Sequence, residues 1–438
     1  MLNSIKIKNY NHIYKLFKKT TIILLLYILY SKFCYVIINQ IIDAINKLIN
    51  SEKVELKNEE DFIIKLNNYS INREPKYILL FDYIYSPICE DLNAFTIFEY
   101  YRKKNINNAY YVLNEGTELY KSLSKQNKTK NIIPFKNNHD NNHLFQFLLN
   151  SKIIIQSYTL HFFQKIVSRV KYLKFLYICH AVNYFKTNII KDQLMKLDKS
   201  KQNIILTSPY EYNLYKKLNL YDENSMHKAG LARYDRLNNL EKNLSEKNCI
   251  LLSFTYRSFN NSIYQESLFK KNTNKLLNDE FLNIYLEKKN IDLVFIQHHH
   301  DVIRRRKINK NYSGKIKFIE QKYLSHYIEQ CSLFITDFSS ISFDFMFQDK
   351  PVLFYHLDLN DKIEFEEKSY MEIDYNNSIY YNNVFSLHED LVNKIKYYVE
   401  RNFTLEKGLK EKYSKMFYYK DNITQKIVNI INNIIENG

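Results

Sequence analysis

From Lys76 onward, short apolar runs alternate with longer amphipathic stretches. Tyr77 to Phe81, Tyr110 to Leu113, Ile153 to Ile155, Phe175 to Ile178 and Ile204 to Leu206 read as strands, each followed by polar residues. Helical patterns fall between them at Asn93 to Tyr101, Glu118 to Leu123 and Leu144 to Leu149. The alternation then repeats. Ile250 to Phe254, Leu293 to Ile296, Ile316 to Ile319, Leu333 to Ile335 and Val352 to Tyr355 read as a second set of strands separated by helices. Strands that are apolar throughout and separated by helices predict parallel sheets covered on both faces. Residues 238–249 (NNLEKNLSEKNC) are polar and divide the two series. The expected domains are an N-terminal segment and linker over 1–75, a Rossmann-like unit over 76–240 and a second over 241–438, whose tail (386–436) reads as helices.

The most organised stretch is Ser332 to Asp358, a strand, a polar turn through Thr336-Asp337-Phe338-Ser339-Ser340, a helix, a stop at Asp349-Lys350-Pro351, and a strand. That is one crossover unit of a parallel sheet. Asp and Ser at the head of a helix cap it, and the free N–H groups there favour an anion. An ordinary capped helix accounts for the same residues.

Composition narrows the chemistry. The 438 residues carry 63 Lys and Arg against 47 Asp and Glu, a net charge of +16. Such a balance suits a phosphate-bearing partner, and no nucleic-acid-binding signature accompanies it. The five cysteines are scattered without a CxxC pair, so neither a disulfide framework nor a zinc site is expected. The five glycines (116, 230, 314, 408 and 438) leave no Walker loop and no G-x-G-x-x-G. Any phosphate must be held by helix ends, hydroxyls and cationic side chains. Near the N-terminus, five lysines precede an apolar stretch, residues 21–38, interrupted by Lys32. Membrane contact with the N-terminus in the cytoplasm is one reading and a buried or interfacial helix the other.

The run TDFSSISFDFMFQDKPVLFYHLDL resembles the C-terminal signature of the CDP-glycerol glycerophosphotransferase family of teichoic-acid and capsule synthesis. Other elements resemble that family too: CHAVNYFK around His180, with Ala181 where the family has Gly; GLARYDRL, with Ala232 for Pro; and ILLSFTYR, with Phe254 for Pro. The triplet His298-His299-His300 matches a family R-x-H-P element through His299, with His298 the alternative register. Adjacent side chains in extended chain diverge, so the triplet does not read as a metal cluster.

The resemblance implies the GT-B fold, two doubly wound domains facing a cleft. It also implies transfer of glycerol phosphate, or a similar alditol phosphate, from a CDP-alditol to a hydroxyl of a lipid-linked or polymeric glycan, releasing CMP. His180 would be the general base, Lys186 would bind acceptor phosphate, and His299 would contact donor phosphate. Arg257, Thr336, Asp337, Ser339, Ser340 and the helix behind them would hold the donor, with Asp344 orienting Ser340 or accepting from a substrate hydroxyl. Arg233 and Asp235 are expected to pair with each other. No metal or cofactor is expected, and the implied place of work is the cytoplasmic face of the membrane. A nucleotide-sugar transferase on the same fold and a non-catalytic membrane-surface binding protein are the alternatives.

Overall fold

The computed structural model describes residues 75–82, 92–135, 144, 147–148, 150–157, 173–182, 202–239, 249–257, 264, 266–298, 301–302, 316–358 and 383–437. The apolar stretch 21–38 lies outside them. Among the described residues no helix is long and apolar enough to cross a membrane.

The first half opens with β1 (Tyr77–Phe81), α1 (Asn93–Lys103), β2 (Ala109–Asn114), α2 (Glu118–Lys125) and β3 (Ile132–Phe135). It continues through β4 (Ser151–Gln156), β5 (Lys174–Tyr177), β6 (Gln202–Leu206), α3 (Pro209–Lys217), β7 (Met226–Lys228) and α4 (Tyr234–Asn239). These strands form a seven-stranded sheet in the order β3-β2-β1-β4-β5-β6-β7. The second half runs from β8 (Cys249–Leu252) through α5 (Leu268–Leu277), α6 (Glu280–Lys288), β9 (Asp292–Ile296), β10 (Ile316–Ile319) and α7 (Leu324–Gln330). Then come β11 (Leu333–Thr336), α8 (Ile341–Phe347), β12 (Val352–Tyr355) and β13 (Val384–Phe385). Its six strands lie in the order β10-β9-β8-β11-β12-β13. The chain closes with α9 (His388–Glu400), α10 (Lys407–Ser414) and α11 (Ile423–Glu436).

Both sheets repeat one logic. The first strand of each half sits centrally, the next two build outward on one side, and the fourth crosses to the other side. The pairings β1 with β4 and β8 with β11 are parallel, so each sheet has a switch point where strand order reverses, the usual place for a ligand in such folds. Strands such as β1 and β11 are buried at consecutive positions because helices cover both faces: Leu79, Leu80, Phe81, Leu333, Phe334 and Ile335 are all fully buried.

Three strands were not legible in the apolar pattern: β3, β7 and β13. All three are sheet edges, where one side is unpaired. There Pro134 is tolerated in β3, and β7 is only Met-His-Lys.

The C-terminal helix returns to the first half, which the sequence does not show. Helix α11 packs against α1, α4 and β5 of the first half, although its sequence follows the second. Its buried stripe, Ile423, Ile427, Val428, Ile431 and Ile434, recurs at helical spacing. Periodicity reveals that such a face is buried but not what buries it. Two contacts fix the return: Tyr418 N donates to Thr207 O at 3.1 Å, and the Asp235 carboxylate accepts from Ile423 N at 2.9 Å and Thr424 N at 2.7 Å. Asp235 thus caps α11 and does not pair with Arg233, correcting the expectation from sequence.

Candidate active site

The side chains singled out above fall at the carboxyl ends of parallel strands. His180 follows β5, Arg257 follows β8, His298 follows β9, Ser339 and Ser340 follow β11, and Asp358 follows β12. In each sheet these ends share one edge because the strands are parallel.

The two switch points differ in what fills them. In the first half, Asp82 after β1 is buried and its carboxylate accepts from Ala94 N (3.1 Å) and Phe95 N (3.0 Å) at the head of α1. It also accepts from Tyr111 Oη at 2.9 Å and Ser157 Oγ at 2.5 Å. The protein's own anion therefore occupies the helix head that a phosphate would take.

In the second half the polar centre is Arg257, which is 1% exposed. Its Nε and Nη2 reach the two Asp358 oxygens at 2.7 and 2.9 Å, and Nη1 donates to Thr255 O at 2.9 Å. Nη1 also lies 2.7 Å from Asp337 Oδ2, a charge contact off the hydrogen-bond axis. The guanidinium stacks over Phe269, 4.6 Å from the ring centroid. Asp337 Oδ1 in turn accepts from Thr255 N (2.8 Å) and Phe338 N (2.6 Å). A single cation thus bridges two buried carboxylates and pins the ends of β8, β11 and β12 together. The expectation that Arg257 clamps a pyrophosphate is revised, because its planar fork is already committed to carboxylates in this structure. Asp337 is likewise an internal ligand of that cation and does not cap α8.

His356, beside this cluster, stacks on Phe338 with centroids 4.5 Å apart. Burial pushes its pKa down to about 4, against the pull of the Asp337 and Asp358 charges. Thr336 and Thr255 bury their hydroxyls without a hydrogen-bond partner for either Oγ1.

By contrast, Ser339 and Ser340 are partly exposed. The Ser340 side chain makes no cap to α8, and Ser339 Oγ accepts only a long bond from Ile341 N, at 3.4 Å. Capping leaves these hydroxyls largely uncommitted. Asp349 ends α8 in the left-handed region (φ 55). Lys350 then donates to Ile328 O at 3.0 Å and Glu329 O at 2.8 Å, closing the carboxyl end of α7. Burial lowers its pKa to about 8. The Lys-Pro pair of the motif is architectural.

Asp344 is buried and does not face Ser340. Arg233 Nη2 reaches its Oδ1 at 2.9 Å and its Oδ2 at 3.1 Å, with Nε 3.3 Å from Oδ1. Burial raises the Asp344 pKa, opposed by Arg233. The expected roles of Asp344 toward Ser340 or substrate are replaced by this ion pair, which joins the two halves. His180 and His298 are both partly exposed, and the His298 ring lies 5.5 Å from that of Tyr256. His299 and Lys186 lie outside the described residues. Sequence reasoning gave Asp358 no role, although the motif carried it, and had no signal for Asn93, whose side chain reaches the carbonyl before His180 at 3.1 Å.

Comparison with family models and curated proteins identifies one family. A model described as CDP-Glycerol:Poly(glycerophosphate) glycerophosphotransferase matches residues 74–433. Among curated proteins, the chain is 24% identical to the minor teichoic acid biosynthesis protein GgaB of Bacillus subtilis (strain 168), over 78% of this chain and 38% of that protein. The chain thus spans well under half the length of that relative. It is also 24% identical to the teichoic acid glycerol-phosphate primase of the same organism, over 66% of this chain and 75% of that protein. Among solved structures, the wall teichoic acid polymerase TagF superposes with a TM-score of 0.61 at 15% identity, covering 89% of this chain and 97% of that one. Because the family model spans most of the chain, the chain belongs to the CDP-glycerol:poly(glycerophosphate) glycerophosphotransferase family.

Proposed function

We propose that this protein transfers glycerol phosphate from CDP-glycerol to a hydroxyl of a teichoic-acid-like or capsular glycan, lipid-linked or polymeric, at the cytoplasmic face of a membrane. Its two halves divide the work as in GT-B enzymes, with the acceptor on residues 76–240 and the donor on the half that begins at 241. One observation carries the placement of the donor. The helix head at the first switch point is filled by Asp82, whereas at the second the Ser339 and Ser340 hydroxyls are partly exposed, Ser340 makes no cap and Ser339 accepts only a long bond.

In this reading the acceptor oxygen attacks the phosphorus that bears glycerol. The bond from that phosphorus to the oxygen bridging to CMP breaks, and CMP leaves with the electron pair. His180 takes the proton from the acceptor hydroxyl, while His298 or His299 and the two serines meet the leaving phosphate. Arg257 acts by holding the strand ends, and Lys186 binds acceptor phosphate. One relative of the same fold was solved with CDPG soaked into it, which accords with a CDP-alditol donor here.

The discriminating experiment offers CDP-glycerol, CDP-ribitol, and UDP- and CMP-sugars in parallel and follows nucleotide release. CMP released from CDP-glycerol supports the reading. Turnover of a nucleotide sugar alone would replace it with a glycosyltransferase, and no turnover of any donor would favour a surface-binding protein.

A further inference from the structure

We propose that Asn93 and Arg233 are positioning residues for His180, holding its main chain from both sides and tying it to the helix behind Ser339 and Ser340. The inference rests on the reading in which His180 is the base.

The residue before the histidine, Cys179, sits in the left-handed region at φ 46. A side chain other than Gly, Asn or Asp is uncommon there, and such a conformation persists only where its surroundings over-determine it. Here the constraint is visible. Asn93, at the head of α1 and fully buried, donates from Nδ2 to Cys179 O at 3.1 Å. Its Oδ1 accepts from Arg233 N at 3.1 Å. The guanidinium of Arg233 then returns to the same loop, where Nη1 donates to His180 O at 2.5 Å. The carbonyls on both sides of the His180 amide are therefore fixed, one by Asn93 and the next by Arg233, and Asn93 also fixes Arg233.

The other edge of that guanidinium makes the Asp344 contacts already described. Asp344 lies one helical turn beyond Ser340, and the pair is nearly closed to solvent, with side chains 11% and 3% exposed. One planar cation thus sets the base loop of the first half against the serine turn of the second. Simple adhesion between the halves does not need this arrangement. The stacked rings of Tyr234 and Phe347, 4.2 Å apart, with Phe417 against both, already supply that. What the aromatic contact lacks is any hold on His180, and only a flat fork satisfies a carbonyl on one side and a carboxylate on the other.

The test compares wild type, Arg233→Lys and Asn93→Asp in the full chain. CMP release from CDP-glycerol is measured with a lipid-linked glycerol phosphate oligomer as acceptor, and thermal midpoints are recorded alongside. Lys keeps the charge but loses the fork. Asp keeps the acceptor for Arg233 N but turns an oxygen toward Cys179 O. Displacing a reacting group by about an ångström costs on the order of 100-fold, so kcat should fall roughly 10- to 100-fold in both variants, with KM for CDP-glycerol within about 3-fold. Wild-type kcat in either folded variant overturns the inference while leaving the function standing. A rise in KM with kcat unchanged also overturns it, because it would assign these residues to donor binding. Absence of turnover in wild type removes the proposed function and this inference together.

Discussion

Arg257 donates from Nε to Asp358 Oδ2 at 2.7 Å, and the same guanidinium meets Asp337 on its other side. Replacing this arginine with Met would leave two carboxylates buried without a cation. Breaking a buried ion network from one side typically costs about 3–5 kcal/mol. Urea denaturation of R257M should show a loss of that size. A loss under about 1 kcal/mol would mean that the cluster is far more hydrated than its burial implies.

The neutral histidine beside that cluster makes an acid-sensitivity prediction. The His356 pKa falls from 6.5 to about 4 on folding, so between those values the unfolded chain binds a proton that the folded chain refuses. Stability from this group is fully present above pH 6.5 and is lost as pH falls toward 4, by up to about 3 kcal/mol. His356→Phe keeps a flat ring on Phe338 and removes the titration. Its unfolding free energy should therefore decline less steeply over that interval. Parallel declines in both proteins would assign the acid sensitivity to other groups.

The docking of α11 rests on Asp235 and on the absence of a side chain at Gly230. A Cβ there would lie 3.0 Å from Ile423 Cγ2, so the fully buried Ile423 would have to shift by a few tenths of an ångström to admit it. Gly230→Ala should destabilise by roughly 1–3 kcal/mol. Asp235→Ala, which uncaps the helix, should cost about 1–2 kcal/mol. Thermal denaturation of both variants checks this, and unchanged midpoints would contradict the view that the C-terminal helix is locked onto the first half.

These cases show which features the sequence made legible. Buried central strands were visible because they are apolar at every position, as in Tyr77–Phe81 and Val352–Tyr355. The motif residues marked the strand ends correctly, yet several roles inverted. Arg257, Asp337 and Asp344 look like ligand groups when read along the chain, but they are partners of one another or of Arg233. Charge pairing across about a hundred residues leaves no local trace, and neither does Asn93 reaching a carbonyl 86 residues away. Lys350 was legible as part of a motif, while its task of closing α7 depends on how two helices meet.

A hydroxyl test addresses the donor site. Ser340 is partly exposed and makes no cap, so Ser340→Ala should leave stability nearly unchanged. It should weaken CDP-glycerol binding by about 10-fold, the value of one hydrogen bond to a charged group. Calorimetric titration measures both wild type and variant. Equal affinities would place the donor elsewhere.

The most direct test of the central claim is His180→Ala, followed by CDP-glycerol binding and CMP release in the same preparation. A base that acts only in the chemical step predicts donor affinity within about 3-fold of wild type and a loss of turnover of roughly 100-fold or more. Turnover near the wild-type rate would contradict the account.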